Sequence, residues 1–200
     1  MRQNEEDRLR RLSLLNNNPQ VNHWLRDDSN SLKRILIARY GIASEVVSGS
    51  VVDAACGYGY GMSMLLQNSR VEKITGIELD KTVIAYASEK MKEHRNARFI
   101  CSDLETCEVP ACDWVVTLET VEHLREPVRF VDKLKQICSG IVISVPILYT
   151  PNPHHVWTHF EPEEIDGWFD GWNKTKDERI QDIMGGKLVD LYKVGAYVKT

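Results

Sequence analysis

Apolar and polar positions recur along the chain in two periods. Over residues 30–47, Leu32, Ile35, Leu36, Ala38 and Tyr40 fall at helical spacing; residues 5–15 form an earlier amphipathic segment that ends at the polar break Asn16-Asn17-Asn18-Pro19. The short apolar run Val51-Val52 then ends in Asp53 and a glycine-rich turn, after which Gly61-Met62-Ser63-Met64-Leu65-Leu66 returns to helical spacing. Residues 72–78 read as a second strand, and residues 81–93 and 127–138 as helices between strands. Such alternation builds a parallel sheet through right-handed crossovers, with helices on both faces. Residues 179–184 and 189–198 read as last strands turned by Gly185-Gly186, one of them antiparallel. Ile165, Trp168, Phe169 and Trp172 share helical spacing and are expected to face the core. The predicted class is α/β, a doubly wound, mostly parallel sheet in one compact domain, with a helical cap over residues 1–48 and a core over residues 49–200.

The chemistry concentrates where the first apolar run ends, at Asp53-Ala54-Ala55-Cys56-Gly57-Tyr58-Gly59-Tyr60-Gly61. Gly57 and Gly59 admit backbone angles that other residues resist, and they leave no β-carbon in the path of a bound molecule. Strand, glycine turn and helix in succession make the kind of parallel-strand end at which nucleosides bind. About 20 residues on, Glu78 ends the next strand, where a carboxylate can accept from both ribose hydroxyls. The spacing departs from the dinucleotide pattern G-x-G-x-x-G: the third glycine comes one place early and Met62 stands where that pattern needs glycine.

This string resembles the first motif of class I S-adenosylmethionine-dependent methyltransferases. Residues 97–103, 113–119 and 140–146 resemble the third, fourth and fifth strands of that family, and the likeness spans residues 31–170. It implies the Rossmann-like class I methyltransferase fold, S-adenosyl-L-methionine as cofactor, and methyl transfer as the activity. Carried over by position, the cofactor contacts would be Asp53, Ala55, Gly57 and Gly59 in the turn, Glu78 at the ribose and Asp103 at the adenine amino group, with Leu79, Leu104 and Leu118 beside them. Arg39-Tyr40 resembles an R-Y pair that precedes the first motif in many of these enzymes, where the tyrosine can lie near the methionine end of the cofactor. Ordinary helix packing of Tyr40 stays open.

A sulfonium already carries an activated methyl group, so catalysis is mostly placement of an acceptor behind that carbon with water excluded. An oxygen or nitrogen acceptor must also lose a proton, to a base or with help from a metal. Where the fourth strand should end, the chain reads Leu118-Glu119-Thr120-Val121-Glu122-His123-Leu124. If Glu119 opens a helical turn, Glu122 and His123 share its face, and two carboxylates with one imidazole suit Mg²⁺ or Mn²⁺. Farther on, three histidines occupy the six residues from His154 to His159.

The E-x-x-E-H string resembles the metal-assisted ubiquinone-biosynthesis O-methyltransferases and small-RNA 3′-terminal 2′-O-methyltransferases. Matched to the RNA group, the metal ligands would be Glu119, Glu122, His123 and one of His154, His155 or His159. The string also occurs in metal-free relatives, where the histidine packs or hydrogen-bonds beneath the cofactor. Pro151-Asn152-Pro153-His154-His155 resembles an N-P-x-H signature whose histidine lines the acceptor pocket. His155 is accordingly the first candidate for a base or acceptor-orienting group, with Glu119 and His123 as further catalytic candidates and Trp157 as a wall or lid.

Composition narrows the partners. A net charge of −4 and a pI near 5.9 disfavour generic binding to nucleic-acid backbone, and Arg8, Arg10 and Arg11 read as a solvated helix face. The expected acceptor is a small or glycosylated intracellular molecule methylated on oxygen, or on nitrogen. No run approaches the ~18 apolar residues of a membrane span, and the charged start is no secretory signal, so a cytoplasmic location is predicted. The five cysteines include no C-x-x-C pair and read as small hydrophobes, Cys56 packing under the turn. The alternatives are a metal-dependent RNA 3′-terminal 2′-O-methyltransferase, a non-catalytic S-adenosylmethionine-binding protein, and a nicotinamide oxidoreductase, the last opposed by Met62.

Overall fold

The computed structural model describes residues 30–149, 153–184 and 187–200. The expected helix over residues 5–15, the break at 16–19, the arginine face, Pro151-Asn152 and the Gly185-Gly186 turn lie outside the described residues. Helix α1 (Asn30–Val46) leads into β1 (Gly49–Ala54), α2 (Tyr60–Leu65), β2 (Val71–Glu78), α3 (Lys81–Lys90), β3 (Ala97–Cys101) and β4 (Trp114–Leu118). A 3-10 turn (Val121–His123), α4 (Pro127–Ile137), β5 (Gly140–Pro146), α5 (Pro162–Trp168), β6 (Trp172–Met184) and β7 (Lys187–Lys199) follow.

The strands form one sheet in the order β3-β2-β1-β4-β5-β7-β6. Strands β1 to β5 run parallel, and β7 is antiparallel to both β5 and β6. This is the doubly wound class I methyltransferase arrangement that the sequence predicts. Strand order reverses between β1 and β4, which opens a crevice at their carboxyl ends, the place where such sheets bind ligands.

Successive strand residues serve two cores, one on each face. Val51, Val116 and Val142 pack with α1 and α2, whereas Val52, Val115, Ile141 and Ile143 pack with α4 and α5. Every residue of β5 is buried, as expected of a strand covered on both sides. Helix α1 buries Ile35, Arg39, Ile42 and Ala43, a helical stripe that includes a charge. At the start of α3, Asp80 caps the helix by accepting from the Thr82 and Val83 N–H groups, which fixes the corner just after Glu78.

Two elements differ from the sequence expectation. Trp172 does not continue a helix: α5 stops at Trp168, Gly171 turns the chain at φ 78°, and Trp172 opens β6. Ile165, Trp168 and Phe169 are buried as predicted. The last two strands are also longer, 13 residues each. The first part of β6 is an edge rich in Lys, Asp and Glu, a pattern that protects an open edge from pairing but hides the strand from an apolar search. Lys193, 1% exposed, pairs with Asp166 at 3.0 Å and Asp177 at 2.9 Å and so ties α5 to the hairpin. Because Tyr192 pairs with Pro146 at the end of β5, residues 187–191 run on beyond the carboxyl end of that strand, paired with β6. Among the described residues, no helix is long and apolar enough to cross a membrane.

Candidate active site

The chain leaves β1 through three left-handed residues, Ala55 (φ 62°), Gly57 (φ 53°) and Gly59 (φ 80°). A side chain there costs about 1–2 kcal/mol, a strain of the kind that concentrates at ligand sites. A β-carbon on Gly57 would meet nothing within 4 Å, so this glycine faces open space. On Gly59 it would lie 3.1 Å from Met91 Sδ and 3.3 Å from Ala87 Cβ, and on Gly61 it would collide with the Tyr40 ring. The three glycines therefore have different tasks: an open approach, a tight seat on α3, and room for Tyr40.

Glu78 braces the turn. Its Oε2 accepts from the Gly57 N–H at 3.0 Å and its Oε1 from the Asp80 N–H at 2.9 Å, so a single carboxylate joins the ends of β1 and β2. Leu79 beside it is 67% exposed. Tyr58 and Tyr86, both exposed, meet edge to face at 5.7 Å. Asp103 lies in the turn after β3, exposed, and accepts from the Glu105 N–H at 2.9 Å; Leu104 next to it is buried. Leu118 is buried at the end of β4.

Asp53 and Tyr40 sit beneath the turn, both buried. The Tyr40 O–H reaches both Asp53 oxygens at 3.1 Å. Burial pushes the Asp53 carboxyl up to about 7; the Tyr40 hydrogen bond opposes the rise and the Glu78 charge adds to it. Burial first, then Asp53 and Glu78, also raises the Cys56 thiol, which makes it an unreactive packing group. Cys101, by contrast with the expected burial of the cysteines, is exposed.

The second half of the site follows β4. Glu119 does not open the helical turn: it has φ 53° and precedes a 3-10 turn that begins at Val121, so it lies off the face that the spacing predicts. Its N–H donates to Ser144 Oγ at 3.1 Å, its Oε1 accepts from the same hydroxyl at 3.1 Å, and its Oε2 pairs with Arg39 Nη2 at 2.9 Å. Burial raises the Glu119 pKa against the opposing charge of Arg39. Glu122 points inward, fully buried, with no N–H or hydroxyl donor on either carboxylate oxygen and its carboxyl group against that of Glu119. Burial and then the Glu119 charge push its pKa well up.

The loop after β5 is fastened to this turn through backbone. The Glu122 carbonyl accepts from the N–H groups of Val156 (2.8 Å) and Trp157 (3.0 Å), and Trp157 Nε1 donates to the Leu124 carbonyl at 3.0 Å. His155 is thereby brought to His123, with ring centroids 4.7 Å apart. Glu122, His123 and His155 offer ligand atoms that all lie within 4.8 Å of one another. His123 Nδ1 stands 2.9 Å from the His154 carbonyl, an acceptor only, so Nδ1 carries the proton and Nε2 of the neutral ring keeps its lone pair. His155 Nδ1 is buried without a partner, and burial, followed by His123 and His154, lowers the His155 pKa. Glu119 and His159 stand outside this group, His159 beside Thr158 and Tyr149.

Arg39, Ser144 and Tyr192 also belong here, with the Arg39 guanidinium 4.0 Å over the Tyr192 ring. Arg39 entered the sequence reading only as half of the Arg39-Tyr40 pair; Ser144 and Tyr192 have no sequence signal, since each sits in an otherwise ordinary strand.

Residues 52–140 match the family model described as a methyltransferase domain. No curated protein matches the chain. Among solved structures, TehB from Haemophilus influenzae is similar at TM-score 0.66 and 17% identity, over 82% of this chain and 62% of TehB, so the chain spans less than two thirds of that protein. Magnesium protoporphyrin IX methyltransferase from Synechocystis PCC 6803, solved with bound SAH, is similar at TM-score 0.65 and 14% identity over 87% of this chain and 90% of that one. The methyltransferase domain of bacterial CtHen1-CN gives TM-score 0.61 and 18% identity over 84% and 98%. At these identities the likeness establishes the fold.

Proposed function

We propose that this chain, which carries a methyltransferase domain on the class I, S-adenosylmethionine-dependent fold, transfers the cofactor's methyl group to an oxygen, or a nitrogen, of a small acceptor. The observation that carries this reading is the pairing of two unlike half-sites at the switch point: the strained turn tied to Glu78, and the carboxylate-imidazole group one strand away. Glu78 would take the ribose hydroxyls, Gly57 would let the cofactor approach bare backbone, and Leu79 and Asp103 would border the adenine. Tyr40 and Asp53 would hold the turn from beneath. The methyl carbon leaves sulfur as it bonds to the acceptor, and the acceptor's proton goes to the imidazole of His155, which its lowered pKa keeps neutral near pH 7.

A divalent cation fits the second half-site. The Glu122 oxygens and His155 Nδ1 are buried without donors, and His123 Nε2 keeps a lone pair. These three residues would hold such an ion, which when bound would lower the pKa of an acceptor hydroxyl; His155 would then serve as a ligand in place of its role as base. The same group favours a second reading, a vicinal diol such as the 3′-terminal ribose of RNA, whose paired oxygens could share that centre; the net charge of −4 opposes it.

Calorimetric titration with S-adenosylhomocysteine, with and without chelator, tests the proposal. Binding is expected in both, and Glu78→Ala should weaken it by about 1–3 kcal/mol. A folded chain with no affinity for this compound overturns the reading; binding without turnover on hydroxyl or amine acceptors would leave a non-catalytic cofactor-binding protein.

A further inference from the structure

Tyr192 stands in the second half-site, under the Arg39 guanidinium, with no task in the reaction described so far. We propose that Tyr192 is an acceptor-binding residue, whose hydroxyl donates to the methyl acceptor beside the carboxylate-imidazole group. The proposal rests on the methyl-transfer reading above and adds a contact from β7, a strand outside both the glycine turn and the E-x-x-E-H string.

Strand register places the ring. Val142, Val194 and Ala196 pack in the α1-side core, where Ala196 pairs with Val142, Val194 with Ser144, and Tyr192 with Pro146. Alternation along both strands therefore puts Ser144 and Tyr192 on that same face, with Tyr192 one step nearer the carboxyl edge, the edge at which open α/β sheets bind ligands. Ser144 holds Glu119 Oε1 at 3.1 Å, so Tyr192 stands next above that bond. The Arg39 guanidinium, 4.0 Å from the ring centroid and paired with Glu119 Oε2 at 2.9 Å, covers one face of the ring and fixes its orientation.

The hydroxyl is the part that this packing does not use. A cation over an aromatic face needs the ring alone, and phenylalanine would serve it. The Tyr192 side chain is half-buried, and among the described residues none accepts its O–H proton. Burial and then the Glu119 charge raise its pKa, with Glu122 adding to the rise, so the group senses both carboxyls of the half-site and stays a donor near pH 7. A side chain already held in place loses little freedom when it grips a ligand. Because a donor on the attacking lone pair would slow the displacement, the bond is a holding contact, expressed in KM and not in kcat.

The test follows tritiated methyl transfer from S-adenosyl-L-methionine by the full chain to pyrocatechol, methyl α-D-glucopyranoside and tyramine, and measures kinetics on each one that wild type methylates. Y192F, which keeps the ring under Arg39, should raise KM about tenfold with kcat within about twofold, while S-adenosylhomocysteine affinity and melting temperature match wild type. Y192L, which also removes the ring, should melt lower and raise KM at least as far. Wild-type KM in Y192F beside a lower melting temperature in Y192L would make Tyr192 a support for Arg39 alone, and would overturn the proposal while sparing the methyl-transfer reading. Binding of S-adenosylhomocysteine with no transfer to any of the three compounds would overturn both together.

Discussion

The Tyr40 hydroxyl lies 3.1 Å from each carboxylate oxygen of Asp53, beneath the turn that should carry the cofactor. Because burial raises Asp53 to about 7, the folded chain holds this proton more tightly than the unfolded one between the ordinary aspartate range and that value. The associated stability is full at low pH and is lost as pH rises through about 7. At roughly 1.36 kcal/mol per unit, the loss amounts to a few kcal/mol. Asp53→Asn keeps an acceptor for Tyr40 without the charge. Urea unfolding should therefore show the variant gaining on wild type between pH 5 and 8; a pH-independent difference would refute the linkage.

Gly57 and Gly59 look alike in sequence but face different surroundings. Gly57→Ala places its methyl in open space, so the fold should lose only about 1–2 kcal/mol from the left-handed backbone while affinity for S-adenosylhomocysteine falls. Gly59→Ala adds the same backbone strain and also presses on Met91 and Ala87, so it should cost more stability. Thermal melts beside calorimetry separate the two: a Gly57→Ala chain with full affinity would show that the open side is not the cofactor side.

The Trp157 indole fastens the histidine loop to Leu124 by one hydrogen bond at 3.0 Å. Trp157→Phe keeps an aromatic ring and removes that bond, about 1 kcal/mol in typical cases. The variant should bind S-adenosylhomocysteine normally but turn over acceptor less efficiently, by about fivefold in kcat/KM. An unchanged kcat/KM would remove the loop from the acceptor site.

The legible parts of the sequence were those where one residue's environment follows from its neighbours. Residues 140–146, apolar but for Ser144, form β5 with the bounds that the family resemblance gave them, and a strand covered on both faces needs no alternation. The place of Glu78 at the end of β2 was legible from its distance to the glycines, which is set by one strand-helix-strand unit. Glu119 was not: its direction depends on a φ of 53° and on Arg39, eighty residues earlier, and neither enters a local spacing rule. The approach of His155 to His123 was equally hidden, since it is made by backbone hydrogen bonds to the Glu122 carbonyl, which any sequence could form. Trp172 continued a helical period by coincidence and was separated from it by Gly171.

The position of His155 gives the most direct reading of the chemistry. Burial, with His123 and His154 nearby, lowers its pKa from the ordinary imidazole value, so the ring is neutral across the physiological range. A base must be neutral to accept a proton, so turnover should stay level as pH falls from 8 to about 6.5 and decline only on the acid side of that range. His155→Ala should reduce kcat by about 10²–10⁴-fold and abolish this acid limb, while leaving S-adenosylhomocysteine affinity near wild type because Glu78 and the glycine turn are untouched. A pH–rate profile on single-turnover reactions checks the point: an acid limb that survives in His155→Ala would assign the proton to another group.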